Sequence, residues 1–439
     1  MKLGLFSPVP KARNSVVNCS PDPEKTPIYQ SAPKGAFPMF PSDVSTATSG
    51  LSRRSFFRIA AGASALAGLP FLTEADLALA QLPTFPDSGK GIHINANENP
   101  LGPSEAARQA VIDIVPRGGR YLFDKDRDLA ETFAKIEGLS PDTVMPFPGS
   151  SQPLHLAVLA FTGKTKPLVI ADPGYEAPVW AAKVSEAPVI KVPLADPKGT
   201  ATHDIKAMTA AASAPGVIYI CNPNNPTGTS TSRADMEYAV ANAPKGTILL
   251  IDEAYIHLSD APSTLDFVKD GKDVIVLRTF SKLYGMAGLR AGFAVARPDL
   301  LKQLGALSGL TALPITAVAA AKASLLDKDL VPTRKKLIGD VRRETLDWLK
   351  NQGYACTPSE TNCFMLDVRR PGTEVIAAMA AKEIYIGRVF PAWPTSVRIT
   401  VGTRDEMMAF RKAFGEVMSS STAGLVSPPM TLGNPLAYL

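Results

Sequence analysis

The chain has little that would serve metal, disulfide or nicotinamide chemistry. Its 439 residues include four cysteines, Cys19, Cys221, Cys356 and Cys363, with no C-x-x-C spacing, which disfavours a zinc or redox motif. Four histidines (His93, His155, His203 and His257) are scattered without an H-x-x-x-H pair, so no metal site is expected. No G-x-G-x-x-G follows an apolar run, which disfavours a dinucleotide fold. Charge of one sign is scarce too. The formal net charge is +5, and residues 1–80 carry eight Lys/Arg against five Asp/Glu, leaving 38 basic and 36 acidic residues beyond them. A near-neutral chain without a basic run offers no footprint for nucleic acid. With 45% hydrophobic and 20% charged residues, the chain is neither largely disordered nor a multi-span membrane protein. It is long enough for a sizeable core.

The first eighty residues read as an address. Residues 1–50 are rich in Pro, Ser, Thr and Ala and read as disordered. Ser52-Arg53-Arg54-Ser55-Phe56-Phe57-Arg58 follows, then an apolar stretch from Ile59 to Leu72, then Ala78-Leu79-Ala80 before Gln81. Twin arginines, a modest apolar segment and a small-residue site, in that order, make a bacterial twin-arginine export signal. The apolar stretch has 14 residues, short of the ~20 needed for a membrane span, so no permanent membrane anchor is expected. The expected location is periplasmic or secreted, through the twin-arginine translocase, or cytoplasmic if the signal is not used. That route carries folded proteins, which suits one that loads a cofactor first.

The pattern then alternates strand and helix. Apolar runs at Pro167–Ala171, Val217–Cys221, Ile248–Ile251, Val274–Leu277 and Phe293–Ala296 are continuous, as in strands buried on both faces. Helical segments such as Leu129–Gly138 and Arg233–Asn242 separate them. An α/β fold is predicted: a large domain with a mostly parallel central sheet covered by helices, plus a smaller C-terminal α/β domain. The boundaries are a disordered N-terminus and signal over 1–80, an N-terminal arm and large domain over 81–325, a small domain over 326–418 and a flexible tail over 419–439. The helical stretch Pro332–Gln352 leads into the second region, where Asn362–Val368 and Val397–Val401 read as strands.

Each strand of the large domain runs into polar residues, and ligands of open α/β sheets bind at the carboxyl ends of strands. Lys282 near a buried strand end is a candidate carbonyl-reactive amine, since desolvation lowers a lysine pKa. Asp252 follows four apolar residues and calls for a cationic partner. Thr279, Ser281 and Arg290 suit a phosphate. Gly149-Ser150-Ser151-Gln152-Pro153 opens the helical run Leu154–Phe161, whose free N–H groups form an anion site. With the aromatic Tyr175, these describe a pyridoxal 5′-phosphate pocket. His257 reads as a surface or helix-flank residue, and Cys221 as a small core residue.

Six motifs then resemble one family: Asn97-Glu98-Asn99-Pro100-Leu101-Gly102-Pro103, Cys221-Asn222-Pro223-Asn224-Asn225-Pro226-Thr227-Gly228, Asp252-Glu253-Ala254-Tyr255, Thr279-Phe280-Ser281-Lys282 with Arg290, Glu360-Thr361-Asn362, and Arg398-Ile399-Thr400-Val401-Gly402-Thr403. From Ile92 to Val417 the chain resembles fold-type-I pyridoxal-phosphate aminotransferases, and among them the histidinol-phosphate aminotransferases. The resemblance implies that Lys282 bonds the cofactor and then shuttles the substrate proton. It implies that Asp252 keeps the pyridine nitrogen protonated, that Asn225 and Tyr255 bond the ring oxygen, and that Tyr175 stacks on the ring. Ser150, Ser151, Thr279, Ser281 and Arg290 would hold the phosphate. Arg398 would pair with the substrate α-carboxylate, Asn362 would line the substrate side, and Arg388 with a partner subunit's Tyr121 would bind a distal phosphate. A homodimer, an amino donor and a 2-oxo acid acceptor follow from the same resemblance. Two departures bear on substrate choice: Arg120-Tyr121-Leu122 stands where the family has Arg-Tyr-Pro, and Ser151-Gln152 stands where it usually has an acidic pair. The substrate is expected to be an amino acid or amino-phosphate with an anionic or polar side chain. A decarboxylase of a phosphorylated amino acid is one alternative, which Arg398 disfavours. A non-enzymatic exported binding protein is another, which retention of Lys282 with Asp252 disfavours.

Overall fold

The structure, a computed structural model, describes residues 73–82, 90–308 and 312–420. Expectations placed on residues 1–72, the twin arginines Arg53 and Arg54 and the apolar stretch among them, lie outside the described residues, as does the tail from residue 421.

Seven strands form the central sheet: β1 Val144–Phe147, β2 Leu168–Asp172, β3 Val189–Pro193, β4 Val217–Cys221, β5 Ile248–Asp252, β6 Val274–Thr279 and β7 Gly292–Ala296. Their order is β1-β7-β6-β5-β4-β2-β3. Pairing is parallel from β3 through β6, while β7 runs antiparallel to both β6 and β1. The sheet is mostly parallel, as expected. The strands β4 to β7 are buried at every position, which is why their sequences are apolar without alternation. β1 and β3 escaped the sequence reading. Each is short and only partly buried; Pro146 sits inside β1, which argues against a strand, and Lys191 breaks the apolar run of β3.

The C-terminal part packs a three-stranded antiparallel sheet, with Trp393–Thr400 between Cys363–Asp367 and Val389–Phe390. The helices Leu330–Asn351, Gly372–Ala380 and Arg404–Ser419 accompany it. The last is fixed at its start by a capping box between Thr403 and Glu406, and it extends to the first residue assigned to the tail. Ile92–Ile94 pairs in parallel with Ile384–Ile386. That pairing ties the chain after residue 90 to the C-terminal part and delivers Asn95, Ala96 and Asn97 to the carboxyl edge of the central sheet.

Candidate active site

Where β4, β5 and β6 end, a cavity of about 300 Å³ opens. All ten residues expected to hold the cofactor line it: Ser150, Ser151, Tyr175, Asn225, Asp252, Tyr255, Thr279, Ser281, Lys282 and Arg290. They come from five separate segments, and the parallel sheet brings their strand ends to one side.

The floor is Asp252, the last residue of β5. Successive side chains of a strand face opposite ways, and here Asp252 faces the cavity while Glu253 turns to a buried ion pair with Arg278 at 2.8 Å. Asp252 accepts hydrogen bonds from the Tyr219 hydroxyl at 3.0 Å and the Ala254 amide at 3.1 Å. Burial pushes its carboxyl up to about 6, against those two bonds and the Lys282 ammonium. No cationic side chain bonds it directly among the described residues, so the carboxylate still calls for one cation. A protonated pyridine nitrogen meets that need.

Lys282 lies three residues past β6. Its Nζ donates to the Ala96 carbonyl at 3.3 Å and lies 5.6 Å from the Tyr255 ring centre. Burial draws its ammonium below the ordinary lysine value, with Glu74 opposing and Arg398 reinforcing. A lysine so desolvated is more readily the free amine that a carbonyl requires.

At the far end, the helix Ser151–Phe161 starts beside Thr279, Ser281 and Arg290. Ser281 is held by Thr279, both through its amide at 3.1 Å and between hydroxyls at 2.9 Å. Arg290 donates to the Ser281 hydroxyl at 3.3 Å and to the Ala287 and Pro148 carbonyls at 3.0 and 3.3 Å. Gly149 has φ +81°, and a Cβ there would strike the Arg290 guanidinium. A helix start, two hydroxyls and an arginine that, among the described residues, donates to neutral oxygens make a fitting cradle for a phosphate. The donor set fits pyridoxal phosphate from end to end.

The four expected substrate residues lie elsewhere. Arg398, in the strand Trp393–Thr400, and Arg388 are fully buried, but a carboxylate stands between them and the cavity. It belongs to Glu74, which sequence reasoning missed. Its Oε1 lies 2.7 Å from Arg398 Nη2 and 3.4 Å from Arg388 Nε, and its Oε2 accepts from Asn225 Nδ2 at 2.7 Å. Arg388 also pairs with Glu176. Asn225 therefore bridges Glu74 and Arg398, whose Nη1 donates to Asn225 Oδ1 at 2.9 Å. Burial acts to raise the Glu74 carboxyl, yet Arg398 and Arg388 outweigh it and hold it down at about 2. The Asn362 amide supports the backbone of Asn97 and Glu98 from outside the cavity. Tyr121 is 77% exposed and stacks on Phe123. Beside it Leu122 has φ +51°, an angle closed to the proline of the resembling motif, so that departure changes the backbone.

His257 lies in the short helix Ile256–Leu258, as expected of a helix-flank residue. It is half-buried, receives a hydrogen bond from Arg278 Nη1 at 3.1 Å and lies 3.5 Å from the Tyr284 hydroxyl. Burial and then Arg278 pull its imidazole down to about 3, so it stays neutral. Cys221 is buried as expected, and it also lines the cavity. Tyr219 and Ala96 were missed because one is an inward strand residue and the other acts through its backbone. Glu74 carried one signal: it sits in Thr73-Glu74-Ala75-Asp76, a capping box.

The aminotransferase class I and II family matches residues 90–414. A histidinol-phosphate aminotransferase of Moorella thermoacetica is 32% identical over 339 residues, covering 75% of this chain and 86% of the relative. An aromatic amino acid aminotransferase of Mycolicibacterium smegmatis is 31% identical, over 73% of this chain and 88% of its own. Among solved structures, the Sinorhizobium meliloti histidinol-phosphate aminotransferase in complex with pyridoxal 5′-phosphate superposes with a TM-score of 0.68 at 26% identity. It covers 75% of this chain and 91% of that one.

Proposed function

The chain belongs to the class I and II aminotransferases and is a pyridoxal-phosphate-dependent enzyme of that family, and on that premise we propose that its amino substrate carries an anionic group read by Arg388 as well as a group bound near Arg398. The observation that carries this reading is the pair of fully buried guanidiniums converging on one carboxylate. Buried arginines need anionic partners, and two of them behind the carboxylate that lines the cavity suit an acidic amino acid or an amino-phosphate, with a 2-oxo acid as acceptor. Relatives named for histidinol phosphate and for aromatic amino acids stand at nearly equal identity, so the named substrates do not choose between themselves.

When bound, pyridoxal phosphate supplies the aldehyde that captures an amino group and the electron sink for the bond broken at the substrate Cα. Lys282 Nζ would act as the base that takes the proton from that carbon. Asp252, kept from other cations, holds the ring nitrogen protonated. Asn225 and Tyr255 would bond the ring oxygen, and Tyr175 would pack against the ring. Ser150, Ser151, Thr279, Ser281 and Arg290 fix the phosphate. Arg398 holds the α-carboxylate with a planar fork that lysine cannot copy, and Asn362 steadies the Asn97–Glu98 backbone beside it. Assayed with 2-oxoglutarate, amino-phosphates and acidic amino acids should outpace neutral aliphatic donors by about tenfold or more, as one charge-assisted contact allows. Arg388→Met should erase that preference. Equal rates for neutral aliphatic donors would overturn the reading.

The protein acts as a homodimer in this reading. Ile112, Val115, Tyr121 and Phe123 are exposed within a short span, and an apolar patch of that kind suits a partner. Mixing inactive Tyr121→Ala and Lys282→Ala chains should restore part of the activity if Tyr121 completes the partner's site. Export through the twin-arginine route rests on Arg53, Arg54 and the sequence that follows them. Changing both to Lys should leave active holoenzyme in the cytoplasm, whereas the wild type should be found outside the inner membrane.

A further inference from the structure

The segment from Thr73 to Leu82 does more than sit near the cavity. Thr73, Glu74 and Ala75 form part of its wall. The helix Glu74–Leu79 has six residues, too few to be stable by itself. Its first turn is closed by its own side chains, since Asp76 accepts from the Thr73 amide and hydroxyl, both at 2.7 Å. What seats it is therefore external. At one end is the Glu74 carboxylate on Arg398, Arg388 and Asn225. At the other, the Gln81 side-chain amide clasps the backbone of Val389, its Nε2 donating to the carbonyl at 3.0 Å and its Oε1 accepting from the amide at 2.8 Å. Ala78 is buried between the two anchors.

Arg398 keeps an unpartnered Nε, but its outer nitrogens, the fork a carboxylate would meet, are engaged. Its Nη1 serves Asn225, and its Nη2 serves the Asn95 carbonyl at 2.6 Å together with Glu74. A substrate carboxylate seeking Arg398 and Asn225 would need the bonds that Glu74 now makes. We propose that Glu74 is a built-in competitor for the substrate carboxylate, and that the segment Thr73–Leu82 must leave its seat before substrate enters. The inference rests on the reading of Arg398 as a carboxylate seat. It also gives the small-residue site a consequence: cleavage after Ala80 would discard Glu74 and open the pocket for good.

The test uses the full-length holoenzyme and succinate, a dicarboxylate with no amino or keto group to react. Calorimetry should show Glu74→Gln binding succinate at least tenfold more tightly than wild type. Gln81→Ala, which loosens only the distant anchor, should bind it two- to fivefold more tightly, and this variant keeps the test open if Glu74→Gln does not fold. Hydrogen exchange should show the amides of residues 73–82 protected without ligand and losing protection as succinate saturates the wild type. Succinate binding with unchanged protection, or equal or weaker binding by both variants, would overturn the competitor while leaving the carboxylate seat in place. No succinate binding by any of the three chains would overturn the seat itself and the inference with it.

Discussion

At one end of the cavity Arg290 is held by neutral oxygens, those of Ser281, Ala287 and Pro148. Behind Glu74, which lines the other end, Arg398 and Arg388 are held by the carboxylates of Glu74 and Glu176. The first arginine keeps its charge available, so an incoming phosphate meets a prepared site. The other two already have anionic partners, so an incoming anion must displace one. Electrostatics sharpens the contrast. Burial lowers the Arg290 guanidinium. Burial acts the same way on Arg398, but Glu74 more than reverses it. A resident cofactor suits the first arrangement and an exchanging substrate suits the second.

The largest expected effect lies between the two ends. Lys282→Ala should retain cofactor through the phosphate cradle yet lose turnover by ~10⁴-fold, the upper range for a positioned acid–base group. Borohydride reduction of the wild-type holoenzyme should leave the pyridoxyl group on the peptide containing Lys282. An unmodified Lys282 in that map would break the assignment. Next in size, the comparison predicts opposite outcomes for one substitution made at each end. Arg398→Lys should raise KM for carboxylate substrates by about 100-fold, within the cost of breaking a buried charge pair, with cofactor affinity unchanged. Arg290→Lys should weaken cofactor binding and leave KM alone. Identical behaviour of the two variants would erase the distinction.

The same contrast explains what could be read from the sequence. The cofactor end is made of strand ends and the turns that follow them, so Asp252, Thr279, Ser281 and Lys282 appear as polar interruptions after apolar runs. All ten of its residues converge in one cavity. The substrate end is assembled from segments that only tertiary packing joins: Glu74, Asn95, Arg388 and Arg398, with Asn225 shared between the two ends. Nothing local in the sequence says that a short capped helix, read as part of an export address, will present a carboxylate to an arginine more than three hundred residues away. Parallel pairing of Ile92–Ile94 with Ile384–Ile386 brings Asn95 there, and three-residue strands leave no periodic signature. The short edge strands were missed for a local reason, because Pro146 interrupts β1 and Lys191 breaks the apolar run of β3.

A smaller effect concerns Asp252 without cofactor. Its carboxyl is pushed up from 3.8 to about 6 by burial, so the folded apoprotein binds that proton more tightly than the unfolded chain does. The contribution to stability is full below about pH 4 and is lost as pH rises through 6. The raised value corresponds to about 3 kcal/mol. Urea unfolding of the apoprotein between pH 4 and 7 should show wild type losing that amount relative to Asp252→Asn. Restoring cofactor should flatten the difference, since the pyridinium then compensates the ionised carboxylate. Parallel pH profiles for the two apoproteins would show that Asp252 is already satisfied by Tyr219 and Ala254.

The smallest change tests how exact the cofactor end is. Gly149 takes φ +81°, and an added Cβ would meet the Arg290 guanidinium. Alanine at that angle costs about 1 kcal/mol of backbone strain, and Arg290 must also shift away from the Pro148 carbonyl and the Ser281 hydroxyl. Gly149→Ala should therefore lower thermal stability by a few degrees and weaken cofactor binding by about tenfold. Affinity for succinate at the substrate end should not change, because Arg398 and Asn225 are untouched. A change in succinate affinity matching the loss of cofactor affinity would mean that the two ends move together, and that the difference between a prepared and a preoccupied arginine does not govern binding.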